Sequence, residues 1–231
     1  MQIKQDLTEF LEFLRKKKYI NTREGKKIIS QIKSVHVLCY SLAIWEHYLT
    51  DIPERGKIFL IEVRSDALQS FISALTGLYK STYLLLRGVI ENFLRYVYFI
   101  DHPVEYSLFS TRGKYLTFQF LADYMKEHPY IGENIRKVKL IDHLYSKYDI
   151  FSKIIHATKI ENMQSVYVLS LIKRDNKKFS RYVAELREVC QYLNLAFCLF
   201  HRKELEKFDY RIREFILKIL PREYRKLYQG I

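Results

Sequence analysis

The chain has 231 residues, 48% apolar and 15% aromatic, with 19 Tyr and 15 Phe but only 7 Gly and 4 Pro. So few turn formers in so long a chain argue against a sandwich, a barrel or a disordered linker protein and point to long elements, here helices. The formal net charge of +13 makes nucleic acid the natural acidic partner, although a basic surface also serves solubility alone.

Cys39, Cys190 and Cys198 form an odd count without framework spacing and read as core thiols in a reducing compartment. Met1–Lys18 is amphipathic and charged, unlike a secretory leader, and no uncharged apolar run reaches the roughly 18 residues of a membrane span. The expectation is a soluble cytoplasmic protein that does not enter a membrane.

Taken in order, Gln2–Lys18 predicts a short amphipathic helix with Ile3, Leu7, Phe10, Leu11 and Leu14 on its apolar face. Asn21-Thr22 reads as a cap, and a long helix follows to about Tyr48, broken by Thr50–Pro53. The next helix starts near Glu54 or Lys57 and reaches Leu75, with Gly77 as its bend or end. Ser81 is the expected cap of a central helix that ends before Pro103. Tyr106–Glu127 reads as helix with a break at Thr111–Gly113. Glu133–Ser146 and Tyr148–Ala157 continue helically. Ser165–Ile172 has a strand-like composition but no partner strand, and reads as helix or irregular chain. Phe179–Lys207, Tyr210–Leu220 and Arg222–Gln229 complete the set. The fold class is all-α, a multi-helix bundle. Residues 1–231 form one domain, with 1–53 the candidate for a separate subregion.

The central stretch Leu84–His102 organises the functional reading. Its apolar residues recur at helical spacing, yet it also carries Arg87, Glu91, Asn92, Arg95 and His102. Arg87, Glu91 and Arg95 are four apart and stack along one side of a helix. Charges on so apolar a helix must be paired or line a cavity. Arg87 and Glu91 are therefore expected to be mostly buried and within reach of Tyr148–His156.

Two Arg–His pairs have the His seven residues later, on the same helix face: Arg95 with His102, and Arg136 with His143. A guanidinium that holds a phosphate beside an imidazole that moves a proton suits phosphodiester chemistry, while the bland alternative is a solvated face. Ser152 and His156 also share a face, one turn after Tyr148; a structural hydrogen-bond network is the ordinary reading, nucleophile and base the sharper one. The cluster at Lys173 and Arg174 adds candidate phosphate contacts. No phosphate-binding glycine loop, zinc-ligand cluster, Ser-His-Asp order or paired Cys motif occurs, so neither metal nor cofactor is expected.

These residues carry a resemblance. Leucines followed by Arg87 and Glu91, a helical stretch ending in a proline, then Tyr148, Phe151-Ser152 and Ile155-His156, resemble the motifs of all-helical bacterial proteins of the HEPN superfamily. The pattern covers about Leu84–Pro103 and Tyr148–His156, with Phe151 and Ile155 where those proteins have Leu and Val. The resemblance implies a helical bundle, often dimeric, that cleaves RNA without a metal or takes part in phage defence. Arg95 and His102, with six residues between them, match the Arg–His spacing of such ribonucleases at its loose end. Tyr96 stands where a polar residue follows the Arg.

Two readings follow. In the first, Arg95 or Arg87 holds a phosphate of RNA, His102 or His156 acts as acid or base, and Glu91 orients the Arg; Arg136, His143, Lys173 and Arg174 add nucleic-acid contacts, and Tyr148 and Ser152 form a structural polar network. In the second, the chain is a non-catalytic module for nucleic acid or a partner protein, with Arg87 and Glu91 fixing helix register and Ser152 and His156 hydrogen-bonded into that pair.

Overall fold

The computed structural model describes residues 2–21, 23–113, 115–129, 139–163 and 168–228. Among them are eleven α-helices and no strand: α1 Gln2–Lys16, α2 Lys26–Tyr48, α3 Glu54–Thr76, α4 Tyr79–Asp101, α5 Pro103–Arg112, α6 Phe118–Glu127, α7 Leu140–Ile155, α8 Asn176–Phe200, α9 Arg202–Lys207, α10 Tyr210–Ile219 and α11 Arg222–Arg225. The chain is therefore an all-α bundle.

Helix α4 sits at the centre because its apolar side is wide. Leu86, Val89, Ile90, Phe93, Leu94, Val97 and Phe99 are all buried. It pairs most extensively with α3 and also packs on α7 and α6, while α8 joins α2, α7 and α3. A tight turn at Gly77 links α3 to α4. Leu78 N–H reaches Ser73 O at 2.8 Å and Gly77 N–H reaches Ala74 O at 3.3 Å, a left-handed helix ending that suits glycine. Arg55, in the first turn of α3, donates to the carbonyls of Phe99 and Ile100 at 2.8 and 2.6 Å and so satisfies the C-terminal end of α4. Between α2 and α8, buried Asn194 accepts from Trp45 Nε1 at 2.9 Å and donates to Ser41 Oγ at 2.9 Å. Such a satisfied polar lock fixes register inside an apolar core.

Several boundaries differ from the pattern reading. The central helix starts at Tyr79 with Leu78 before it, so Ser81 lies inside the first turn and caps nothing. Asn21 does not cap α2 either; Gly25 precedes it, and the described Asn21 donates its backbone N–H to Glu24. Pro103 opens α5 directly, since a helix tolerates proline at its first position, and Gly113 ends that helix in the left-handed conformation. The helix expected over Phe179–Lys207 breaks at His201 into α8 and α9. In the strand-like Ser165–Ile172 stretch, Leu169–Leu171 form a single 3₁₀ turn, and residues 165–167 lie outside the described set, as do 133–138. Among the described residues one helix, α2, is long and apolar enough to cross a membrane by length and composition, but 56% of its apolar window is buried within the bundle.

Candidate functional site

The polar residues of α4 form a ladder along one stripe. Arg87 Nε and Nη2 lie 3.0 and 2.9 Å from Glu91 Oε1, and Arg95 Nη2 lies 3.6 Å from Glu91 Oε2. From α7, the Tyr148 hydroxyl donates to Glu91 Oε1 at 3.0 Å. One carboxylate thus holds two guanidiniums and a phenol. The side chains of Arg87, Glu91 and Arg95 keep 22, 18 and 21% of their surface exposed, neither in bulk solvent nor sealed in the core. The Tyr148 ring stacks on Phe118 with centroids 3.7 Å apart, and the Arg87 guanidinium lies 4.7 Å over the same ring. Burial, together with the Glu91 carboxylate, pushes the Tyr148 phenol up to about 12, so it remains a donor at neutral pH.

The ladder continues onto α3. Arg95 Nη1 donates to Asn92 Oδ1 at 2.9 Å, and Asn92 Nδ2 donates to Asp66 Oδ2 at 3.0 Å. Gly88 makes this possible. A Cβ there would lie 2.4 Å from Asp66 Oδ2, so only glycine lets the carboxylate rest on α4 one turn before Asn92. Burial, and then Glu62, raise the Asp66 pKa to about 6, against the pull of Asn92 and Arg95.

A carboxyl whose pKa is higher folded than unfolded binds more protons in the native state between the two values. Stability from Asp66 is therefore present in acid and declines as the pH rises from about 4 through about 6. Asp66→Asn keeps an acceptor for Asn92 and removes the titration. Thermal melts should show the variant more stable than wild type at pH ~7, with the difference shrinking toward pH ~4. A variant that loses stability at neutral pH would contradict this.

At the C-terminal end of α4, the His102 ring stacks on Tyr98 at 4.1 Å and 5°, and meets Tyr124 edge-on at 4.8 Å. His102 Nδ1 lies 2.8 Å from the Tyr98 carbonyl, and since a carbonyl only accepts, Nδ1 carries the hydrogen. That leaves Nε2 as the nitrogen able to accept a proton. Beside it, Asp101 Oδ2 accepts from the Tyr124 hydroxyl at 2.7 Å and from His128 Nε2 at 2.9 Å. Pattern reading passed over His128, Tyr124 and Asp101, since only packing of α6 on α4 joins them.

Arg95 and His102, two turns apart, share no partner among the described residues. Arg95 turns to Glu91, Asn92 and, at 6.0 Å, the Phe109 ring, whereas His102 turns to Tyr98 and Tyr124. His156 does not join the ladder. It is exposed just past the end of α7. Ser152 Oγ is buried and makes no hydrogen bond among the described residues. The expected bonds from Ser152 and His156 into the Arg87–Glu91 pair are thus replaced by one from Tyr148.

Among the outlying candidates, His143 is exposed and stacks on Tyr192 at 4.3 Å, while Arg136 lies outside the described residues. Lys173 is exposed. Arg174 reaches across to Glu24 at 2.5 Å with most of its side chain covered, which makes it a clamp between the loop before α8 and the start of α2. His201, in the break between α8 and α9, shares a 2.5 Å hydrogen bond between its Nε2 and the Tyr96 hydroxyl, and burial holds its pKa down at about 4. Its imidazole is therefore neutral and structural. Among the described residues no group of three or more His, Cys, Asp or Glu is placed to hold a metal ion. In comparisons with known proteins, the chain matches no family model, no curated protein and no solved structure.

Proposed function

We propose that the protein is an RNA-directed, HEPN-like helical protein that binds or cleaves RNA without a resident metal, acts in the cytoplasm as a homodimer, and serves a phage-defence or toxin-type response. The observation that carries the reading is His102: its tautomer is fixed, its ring is clamped between two tyrosines, and Nε2 is left for proton transfer on the helix that also bears Arg87 and Arg95. The resemblance of Leu84–Pro103 and Tyr148–His156 to HEPN proteins supports the same reading and is the basis for the cellular role. Cleavage of this kind needs proton transfer alone. The 2′-hydroxyl attacks the adjacent phosphorus, His102 Nε2 takes its proton, Arg95 turns from Glu91 to the non-bridging oxygens, and the 5′-oxygen leaves with a proton from a second imidazole. In a homodimer that imidazole is the His102 of the other copy.

A second reading has its own observation. Both guanidiniums are already engaged by Glu91, and among the described residues Arg95 shares no partner with His102. That favours a non-catalytic module in which the ladder fixes helix register and the basic surface binds RNA or a partner protein.

RNA contact by the ladder is tested with a labelled single-stranded RNA, by anisotropy at several salt concentrations. Replacing Arg87 by Ala should weaken binding and reduce the magnitude of the log–log salt slope by about 0.7, the value of one phosphate contact on a single strand. An unchanged slope would remove Arg87 from the RNA surface.

A further inference from the structure

A groove of about 920 Å³ opens over the C-terminal half of α2, between α3 and α10, and takes none of its lining from α4 or α7. Its volume falls within the roughly 300–1,000 Å³ of small-molecule sites. The floor is apolar and aromatic. Tyr40, Ile44 and Phe215 line it, with the Tyr40 and Phe215 rings edge-on at 5.9 Å. The Tyr40 hydroxyl makes no hydrogen bond to the described residues, although it stands beside the groove.

The charges of the groove are unequal in their engagement. Of its two carboxylates, Glu46 pairs with Arg64 at 2.8 Å, while Asp209 accepts from the Arg211 backbone N–H at 2.9 Å and sits at the positive end of the α10 dipole. Lys57 from α3 and Arg211 from α10 flank the groove, are exposed, and form no ion pair among the described residues. The three cations of the lining outnumber its two carboxylates, so an apolar floor flanked by Lys57 and Arg211 suits a molecule with an apolar body and an anionic head. We infer that this groove is a binding site for a small amphipathic carboxylate, whose body lies on Tyr40, Ile44 and Phe215 and whose carboxylate meets Lys57 and Arg211. The site is independent of the RNA reading, since the two share no residue.

The test uses the full chain with anilinonaphthalene sulfonate as fluorescent anionic probe, its uncharged counterpart phenylnaphthylamine, and decanoate as competitor. Wild type should bind the sulfonate saturably at one site, and decanoate should displace it. The double variant Lys57→Ala, Arg211→Ala should bind the sulfonate about tenfold more weakly or worse, while the uncharged probe changes by no more than about twofold. Ala43→Trp, which fills the floor, should abolish binding of both. Circular dichroism melts verify folding, and both cations are exposed, so their loss should leave the melting temperature in place. Absence of saturable binding to wild type, equal affinity of the two probes, or a double variant that binds the sulfonate as wild type does would each overturn the assignment.

Discussion

Replacing Glu91 by Ala is expected to cost about 2–3 kcal/mol of folding stability and roughly 5–10 °C in melting temperature. The reason is the number of donors that converge on this one carboxylate. Arg87 approaches through two nitrogens, Arg95 through one, and Tyr148 brings its hydroxyl from α7. A fully buried pair broken at one partner costs about 3–5 kcal/mol, but these side chains keep about a fifth of their surface exposed, and water recovers part of the loss. The Glu91→Gln variant separates charge from hydrogen bonding. It keeps an acceptor for Tyr148 and Arg87 and should fall between Ala and wild type. Urea denaturation of the three proteins measures the effect. A cost below about 0.5 kcal/mol for Glu91→Ala would show that the ladder does not lock α4 to α7.

Gly77→Ala is expected to destabilise by at least about 2 kcal/mol. Gly77 ends α3 at φ +90°, where a side chain is strained whatever the available space. A Cβ would also lie 2.3 Å from the carbonyl oxygen of Lys173, a backbone atom that cannot swing away as a side chain can. The loop that would have to move is held on both sides. Asp175 is hydrogen-bonded to the Tyr79 hydroxyl through its N–H and its carbonyl, and Arg174 is paired with Glu24. The same helix ending sets the start of α4, so displacement there reaches the ladder two turns on. Thermal melts of Gly77→Ala against wild type test this, and a loss of less than about 1 °C would contradict it.

The parts of the site that were legible in the sequence are those set by local geometry. Arg87, Glu91 and Arg95 repeat every four residues, and a helix alone brings them together. Tyr148 was legible as part of a second polar motif without another obvious partner, and it does reach Glu91. His156 was misplaced by the same rule. Four-residue spacing puts Ser152 and His156 on one face only while the helix lasts, but α7 ends at Ile155 and Ala157 turns to φ +48°, so His156 leaves that face. Asp66 carries no signal of its own among the polar residues of α3. Its role depends on how α3 crosses α4 over Gly88, which is a property of packing. Arg174 meets Glu24 across 150 positions, a distance at which charge clustering says nothing about partners. The helical content was legible because few glycines and prolines interrupt a long apolar period. The ends of helices were less so, because Gly25 and Leu78 precede α2 and α4 where polar side chains were expected as caps.

Cleavage of total RNA in the presence of a chelator, by wild-type and His102→Ala protein side by side, tests the RNA-directed proposal most directly. His102 stands at the junction of the two helices, following the last turn of α4 and preceding the first turn of α5. Its contacts are ring stacking and one bond to its own helix, so its removal should leave the bundle folded. The proposal predicts that wild type cleaves without added metal, and that the variant still binds RNA, melts within a few degrees of wild type and has lost cleavage. Wild type inactive on every RNA offered would contradict catalysis and leave the binding module, and full activity in His102→Ala would contradict the assignment of His102.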